Sequence, residues 1–178
     1  MRPKKSLGQN FLNNESILTK IVDSGNIEIN DIVLEIGPGT GNLTKKILEK
    51  KPDNFIVIEK DFNLVKLLKE KFNKKIKIIN DDILNVEEDS LHDNILTVYG
   101  NLPYNISTEI LIKWILNLNE KKIWFDYLVL MFQKEVADRI ISKFDTKSYG
   151  RLTVLANWRL KIKKICNIAP SSFTPKPK

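Results

Sequence analysis

The 178-residue chain has one cysteine, Cys166, and one histidine, His92. A lone cysteine closes no internal disulfide, and without a cysteine pair there is no zinc ribbon or redox motif, which makes a reducing compartment the default. His92 falls in a loop with no apparent partner and is assigned no role. No stretch reaches roughly 18 consecutive apolar residues, the length a spanning helix needs. The basic N-terminus Met1–Leu12 passes through Gly8-Gln9-Asn10 instead of an apolar signal core. A cytoplasmic protein away from membranes is therefore expected. With 7 Gly, 7 Pro, 42% hydrophobic and 29% charged residues, the composition is neither disordered nor collagenous. A chain of this size buries roughly 70% of its unfolded surface, enough for one domain over 1–178 headed by a basic segment, 1–14.

Acidic residues are missing from both ends. Segment 1–14 has Arg2, Lys4 and Lys5 and no acid, and Thr146–Lys178 has 8 basic residues and no acid in 33 positions. Glu15–Asp145 has 18 basic against 22 acidic residues, and the formal total is +7. Lys74, Lys75 and Lys77 read as a solvated face, but ordinary surfaces intersperse both signs, so an acid-free stretch this long calls for another reason. A slightly acidic body between basic ends suits a small-molecule site in the body and a polyanion held by the ends.

The apolar pattern alternates short continuous runs with helix-period segments. Asn14 precedes a helix over Glu15–Ser24, with Gly25 as its stop. Ile32–Ile36 reads as a buried strand, followed by a helix over about Leu43–Lys50. The pattern then predicts a strand at Phe55–Ile58, a helix at Phe62–Phe72 and strands at Ile76–Ile79 and Ile95–Tyr99. A helix at Ile106–Leu118, a strand at Tyr127–Phe132 and a helix at Lys134–Phe144 complete it. Repeated β-α units give an α/β fold, a parallel sheet with right-handed crossovers and helices on both faces. Ligands of such sheets sit outside the carboxyl ends of the strands.

Four of those ends carry suggestive residues. After the first strand stands Glu35-Ile-Gly-Pro-Gly-Thr-Gly41, whose glycines Gly37, Gly39 and Gly41 let a ligand approach backbone at a helix N-terminus. The spacing G-x-G-x-G is neither the dinucleotide fingerprint nor a P-loop, and alone it is also explained as a tight turn. Twenty-two residues beyond Gly37, at the end of the second strand, Glu59 can accept both hydroxyls of a ribose. After the third strand, Asp82 can accept from the exocyclic amine of an adenine while Ile83 packs its face. Either carboxylate by itself is equally well read as a helix cap or a solvated group; three successive strand ends argue for one site. After the fourth strand comes Asn101-Leu102-Pro103-Tyr104, a proline-stiffened turn on the plain reading. On the functional reading, the Asn101 side-chain carbonyl and the Leu102 carbonyl, held extended before Pro103, accept from an aromatic amine and expose its lone pair, and Tyr104 stacks on the base. No metal ligand set is expected.

These residues resemble the small-subunit ribosomal RNA adenine dimethyltransferases over the whole chain. The resemblance is carried by Lys5-Ser-Leu-Gly-Gln-Asn-Phe-Leu12, Glu35–Gly41, Asn101–Tyr104, Gln133-Lys-Glu-Val-Ala137 with Arg139, Tyr149-Gly-Arg-Leu152 and Phe173-Thr-Pro-Lys-Pro177. The first and fourth are specific, whereas many S-adenosylmethionine enzymes share the glycine turn. The resemblance implies a Rossmann-like class I S-adenosylmethionine-dependent methyltransferase sheet and methylation of the N6 amine of two adjacent adenosines in the 3′-terminal hairpin of small-subunit rRNA. It further implies that Asn10 and Leu12 close over S-adenosyl-L-methionine, Gly37 and its neighbours approach its methionine portion, Glu59 holds the ribose and Asp82 the adenine. Asn101 would contact both cofactor and target amine, and Tyr104 and Phe173 would sandwich the target adenine. Small-subunit rRNA is the expected partner of a monomeric enzyme.

Members of that family continue past the Phe-x-Pro-x-Pro motif into a last strand and a helical domain, whereas this sequence stops at Lys178. In that sheet the last strand runs antiparallel between the fifth and sixth, so Arg159–Ile168 is expected to lose its usual neighbour and the chain to be weakly stable. Two rivals share the cofactor site: erythromycin-resistance enzymes acting on large-subunit RNA, which commonly have Ile where Leu102 stands, and non-catalytic assembly or transcription factors. A nicotinamide reductase conflicts with the glycine spacing.

Overall fold

The computed structural model describes residues 9–118 and 123–177. Along the chain run β1 (Phe11–Leu12), α1 (Glu15–Asp23), β2 (Ile32–Ile36), α2 (Asn42–Glu49), β3 (Asn54–Ile58), α3 (Phe62–Phe72), β4 (Lys77–Ile79), β5 (Leu96–Asn101), α4 (Ser107–Asn117), β6 (Phe125–Met131), α5 (Lys134–Ile140), α6 (Arg151–Arg159) and β7 (Phe173–Thr174). Five strands form one parallel sheet in the order β4-β3-β2-β5-β6. All five residues of β2 are buried, as a parallel strand covered on both faces requires.

The chain builds outward from β2 through β3 to β4, then returns to the other side of β2 for β5 and β6. The order therefore reverses between β2 and β5, where the register sets Ile36 beside Gly100. Gly37 and Asn101, the next residues on each strand, emerge together at this switch point, the place where open α/β sheets bind ligands.

Helices α1, α2 and α3 cover one face, burying Leu18, Ile21, Leu43, Ile47, Leu68 and Phe72 against Val33, Val57 and Tyr99. Asn14 starts α1 by accepting from the Ile17 N–H at 3.1 Å, and the Tyr99 phenol donates to the Val22 carbonyl at 2.7 Å, tying α1 to β5. On the other face α4 buries Ile110 and Trp114 against Leu34, Ile56 and Val98. The Trp114 indole N–H donates to the buried Glu88 carboxylate at 2.6 Å, and the Lys113 ammonium pairs with the same oxygen at 2.9 Å. Helices α5 and α6 extend this layer through Leu111, Ile115, Ile140 and Ala156. Among the described residues, no helix is long and apolar enough to cross a membrane.

The C-terminal part departs from the sequence reading. Helix α5 stops at Ile140 and does not reach Phe144, whose ring is 83% exposed. Helix α6 was not anticipated. Arg159 closes it and the next residues form no strand: 160–169 is irregular chain, and no described strand pairs with it. Leu160 and Ile162 pack with the α4–α6 layer, and Ile165 and Ile168 with the α1–α3 layer, so the segment passes from one face of the sheet to the other. Lys161, Lys163 and Lys164 between them are exposed, which keeps the segment half-buried.

Candidate active site

The turn after β2 takes φ of +65° at Gly37, +59° at Gly39 and +83° at Gly41, a left-handed course that disfavours any side chain. Packing reinforces this at two positions. A Cβ at Gly39 would stand 2.8 Å from the Phe11 ring, and one at Gly41 would stand 2.5 Å from the Phe72 ring of α3. Gly41 is thus a structural residue at the N-terminus of α2. A Cβ at Gly37 would meet only the Asn101 carbonyl, at 3.5 Å, and the residue lines the cleft between β2 and β5.

Glu59, 7% exposed, leaves the end of β3 and folds back under this turn. One carboxylate oxygen accepts from the Asp61 N–H at 2.8 Å and the other from the Gly39 N–H at 3.2 Å. A carboxylate has about four accepting sites, so these amides leave room to receive a ligand's hydroxyls. Burial raises the Glu59 pKa, and the Asp61 and Gly39 amides draw it back in part. Asp82 caps a short turn after β4 by accepting from the Leu84 N–H at 3.1 Å, and its other oxygen pairs with Lys60 at 2.7 Å. Partial burial opposes ionisation of Asp82, but Lys60 and the Leu84 amide outweigh it and hold the group below the usual carboxylate range. Ile83 turns into the core. Beneath the turn, Glu35 is fully enclosed and accepts from the Thr44 hydroxyl at 2.7 Å. Burial pushes it up to about 8, with Thr44 acting against the rise and the Glu59 charge adding to it.

On the β5 side, the Asn101 amide nitrogen donates to the Asn10 carbonyl at 2.8 Å, leaving the side-chain oxygen as the accepting end. Leu102 is a buried core residue, Pro103 lines the cleft, and Tyr104 is half-buried, with burial raising its pKa. A strap crosses this end of the molecule. β1 pairs antiparallel with β7, Leu12 opposite Phe173. Asn13 donates through its backbone to the Ser172 carbonyl at 2.9 Å and through its amide to the Thr174 hydroxyl at 2.8 Å, while Asn42 of α2 donates to the Leu12 carbonyl at 2.9 Å. Phe173 is 7% exposed and packs with Leu12, Val129 and Met131, outside the cleft lining.

The fold therefore brings Asn10, Gly37, Gly39, Glu59, Asp82 and Asn101 onto one cleft together with Pro103. Leu12 lines a smaller recess beside it with Glu35 and Asn101. Gly41, Leu102, Tyr104 and Phe173 lie off the main lining. Sequence reasoning missed six contributors: Gln9, Phe11, Lys60, Leu64, and Asn105 and Ile106 just past the Asn101–Tyr104 turn. Phe11 and Gln9 sit within the N-terminal motif and Lys60 follows Glu59, so adjacency was the available signal; Leu64 follows from the register of α3.

The lining carries two carboxylates, with a third beneath it, and its cation Lys60 is already paired with Asp82. Such a surface repels a pyrophosphate and accepts a cationic ligand rich in hydroxyls and amines. S-adenosylmethionine, with its sulfonium, ammonium, ribose hydroxyls and adenine amine, fits that donor set. A parallel sheet with this cleft at its switch point defines a class I S-adenosylmethionine-dependent methyltransferase. Within that class, the chain belongs to the ribosomal RNA adenine dimethylase family, whose model matches residues 1–178. It is 61% identical over 178 residues to the ribosomal RNA small subunit methyltransferase A of Pelagibacter ubique, covering 100% of this chain and 67% of that protein. It is 46% identical over 182 residues to the protein of the same name from a Wolbachia of Drosophila simulans, covering 100% and 65%. Among solved structures, a dimethyladenosine transferase from Plasmodium falciparum superposes with a TM-score of 0.83 at 34% identity, over 94% of this chain and 59% of that one. The 23S rRNA methyltransferase ErmE gives 0.76 at 26% identity, over 94% and 65%. The chain thus spans about two thirds of the length of its curated relatives.

Proposed function

We propose that this chain is the methyltransferase module of an rRNA adenine dimethyltransferase, acting in the cytoplasm as a monomer on the N6 amines of two adjacent adenosines in the 3′-terminal hairpin of small-subunit rRNA. The observation that carries this is the placement of Asn101, whose amide nitrogen is committed to the Asn10 carbonyl beside the open Gly37 backbone. S-adenosylmethionine supplies an already activated methyl group. The chain's own residues need only position the reactants. Glu59 receives the ribose hydroxyls, Asp82 and its neighbours the adenine, Gly37 with Gly39 the methionine portion, and Asn10 and Leu12 close the strap over it. The Asn101 side-chain oxygen and the Leu102 carbonyl accept the two protons of the target amine, which turns the nitrogen lone pair toward the methyl carbon. As the nitrogen–carbon bond forms, the carbon–sulfur bond breaks and the amine proton passes to water. Tyr104 stacks on the target base, and Phe173 joins it by turning out of the cluster it now packs in. An RNA loop is the fitting substrate because its bases are splayed before binding, which lowers the cost of drawing one into the cleft.

The test is transfer of labelled methyl from S-adenosylmethionine to undermethylated small subunits, with large subunits in parallel. Asn101→Ala is expected to abolish incorporation while the far-UV spectrum is unchanged. Equal turnover by the variant would overturn the assignment. Label appearing in large subunits alone would move the chain to the 23S class that ErmE represents.

A further inference from the structure

The Tyr149-Gly150-Arg151 motif has no part in the cleft chemistry, yet it stands beside an unusual surface. Phe144 is 83% exposed and Tyr149 40%, and the two rings meet edge to face with centroids 5.6 Å apart. Exposed Lys143, Lys147 and Arg151 neighbour them along the chain, with Asp145 the one acid of the loop. The loop is held by its own hydrogen bonds, Thr146 hydroxyl to the Lys143 carbonyl at 2.8 Å and Tyr149 N–H to the Thr146 carbonyl at 3.0 Å, so the rings are presented on a formed support. Gly150 is not demanded by the fold. Its backbone is extended, at φ −170°, and a Cβ there would meet nothing within 4 Å. A missing side chain between a stacking ring and a cation leaves room for a ligand to come close.

Topology puts this loop at the cleft end of the molecule. Helix α4 starts at Ser107, just after the Asn101 turn, and its last carbonyl, Leu118, accepts from Arg159 at the end of α6 at 3.1 Å. The two helices pack through Leu111, Ile115 and Ala156, so they run side by side with their C-termini together. From Arg159 the axis climbs roughly 12 Å to Arg151, which brings the first turn of α6 level with the upper part of α4.

We propose that the Phe144–Tyr149 pair, flanked by Arg151, Lys143 and Lys147, is a stacking platform for an unpaired RNA nucleotide outside the one held in the cleft. Bases stack on exposed rings without sequence preference, and Lys143, Lys147 and Arg151, which outnumber Asp145, supply the backbone attraction. The platform rests on the RNA-methyltransferase reading above and adds to it how a loop is recognised beyond its target base.

The experiment uses the 178-residue chain, a labelled synthetic hairpin of the small-subunit RNA 3′ end and a fully paired duplex of the same length. The double variant Phe144→Ala with Tyr149→Ala is expected to bind the hairpin roughly tenfold more weakly. Its duplex binding, melting temperature and affinity for S-adenosylhomocysteine should be unchanged. Phe144→Tyr with Tyr149→Phe should retain full affinity. Gly150→Ala, which clashes with nothing, should weaken hairpin binding a few-fold. The proposal is overturned by an unchanged hairpin affinity in the double variant, by a wild type that does not bind the hairpin, or by variants that alter only self-association. Failure of the wild type to bind S-adenosylhomocysteine would strike the methyltransferase reading instead, and the hairpin measurement stands apart from it.

Discussion

Strands β2, β3 and β5 are paired on both edges and buried at almost every position, whereas the chain from Leu160 to Ala169 carries a similar share of isoleucine and leucine yet stays half-exposed. The difference lies in what surrounds the apolar residues. Between Ile32 and Ile36 every backbone group has a ladder partner and both faces have helices. After Leu160, lysines alternate with the apolar positions and no described strand offers a ladder. Apolar content becomes rigid structure only where hydrogen-bonding partners come with it, and the site follows that rule, since its polar groups hang from the ends of the paired strands.

The contrast is tested most severely in the core. Trp114→Ala removes a fully buried ring and one of the two donors to Glu88, leaving Lys113; it should cost about 3–5 kcal/mol in denaturant unfolding. Trp158→Ala, at a ring that is 64% exposed, should stay within about 0.5 kcal/mol. Equal losses would erase the distinction between the two regions.

A smaller effect separates them by pH. Glu35 is held protonated up to about pH 8, against 4.5 for the free group. The folded protein therefore binds more protons than the unfolded chain between those values, and its stability falls as pH rises through that window. Glu35→Gln should flatten the fall between about pH 5 and 8.5. Parallel melting curves for wild type and variant across that range would show that Glu35 ionises freely. The next effect is local to the cleft. Glu59→Ala takes away the carboxylate that the Gly39 and Asp61 amides orient, and should weaken S-adenosylhomocysteine binding about tenfold by calorimetry, about 1.4 kcal/mol.

Much of this was legible in the sequence, and the reason is local. Phe62–Phe72 has helical spacing behind a capping Asp61 and forms with those bounds, and Ile32–Ile36 reads and folds as a buried strand. Glu59, Asp82 and Asn101 were found because a parallel sheet delivers strand ends to one edge. The strap was not legible, since Asn13 and Thr174 meet across 161 positions. Nor was α6, which starts at a glycine without a side-chain cap and leaves Val154 and Trp158 exposed, so its apolar period is blurred. At Arg159–Ile168 the expected loss of a neighbouring strand agrees with the irregular chain at 160–169, since a strand needs a neighbour to satisfy its backbone.

That last point yields the smallest and most discriminating expectation. Ile165 is half-buried against the α1–α3 layer and belongs to no ladder. If the 160–169 segment is only laid over the sheet edge, Ile165→Ala loses part of one side chain's burial and no backbone pairing, about 0.5–1 kcal/mol. If instead the segment pairs in solution as a strand, the same change opens a cavity in a packed layer, costs about 2–5 kcal/mol and comes with slow amide exchange at Lys163–Ile165. Fast exchange along 160–169, beside protected amides in β2 and β5, is the expected result, because groups without ladder partners remain open to water.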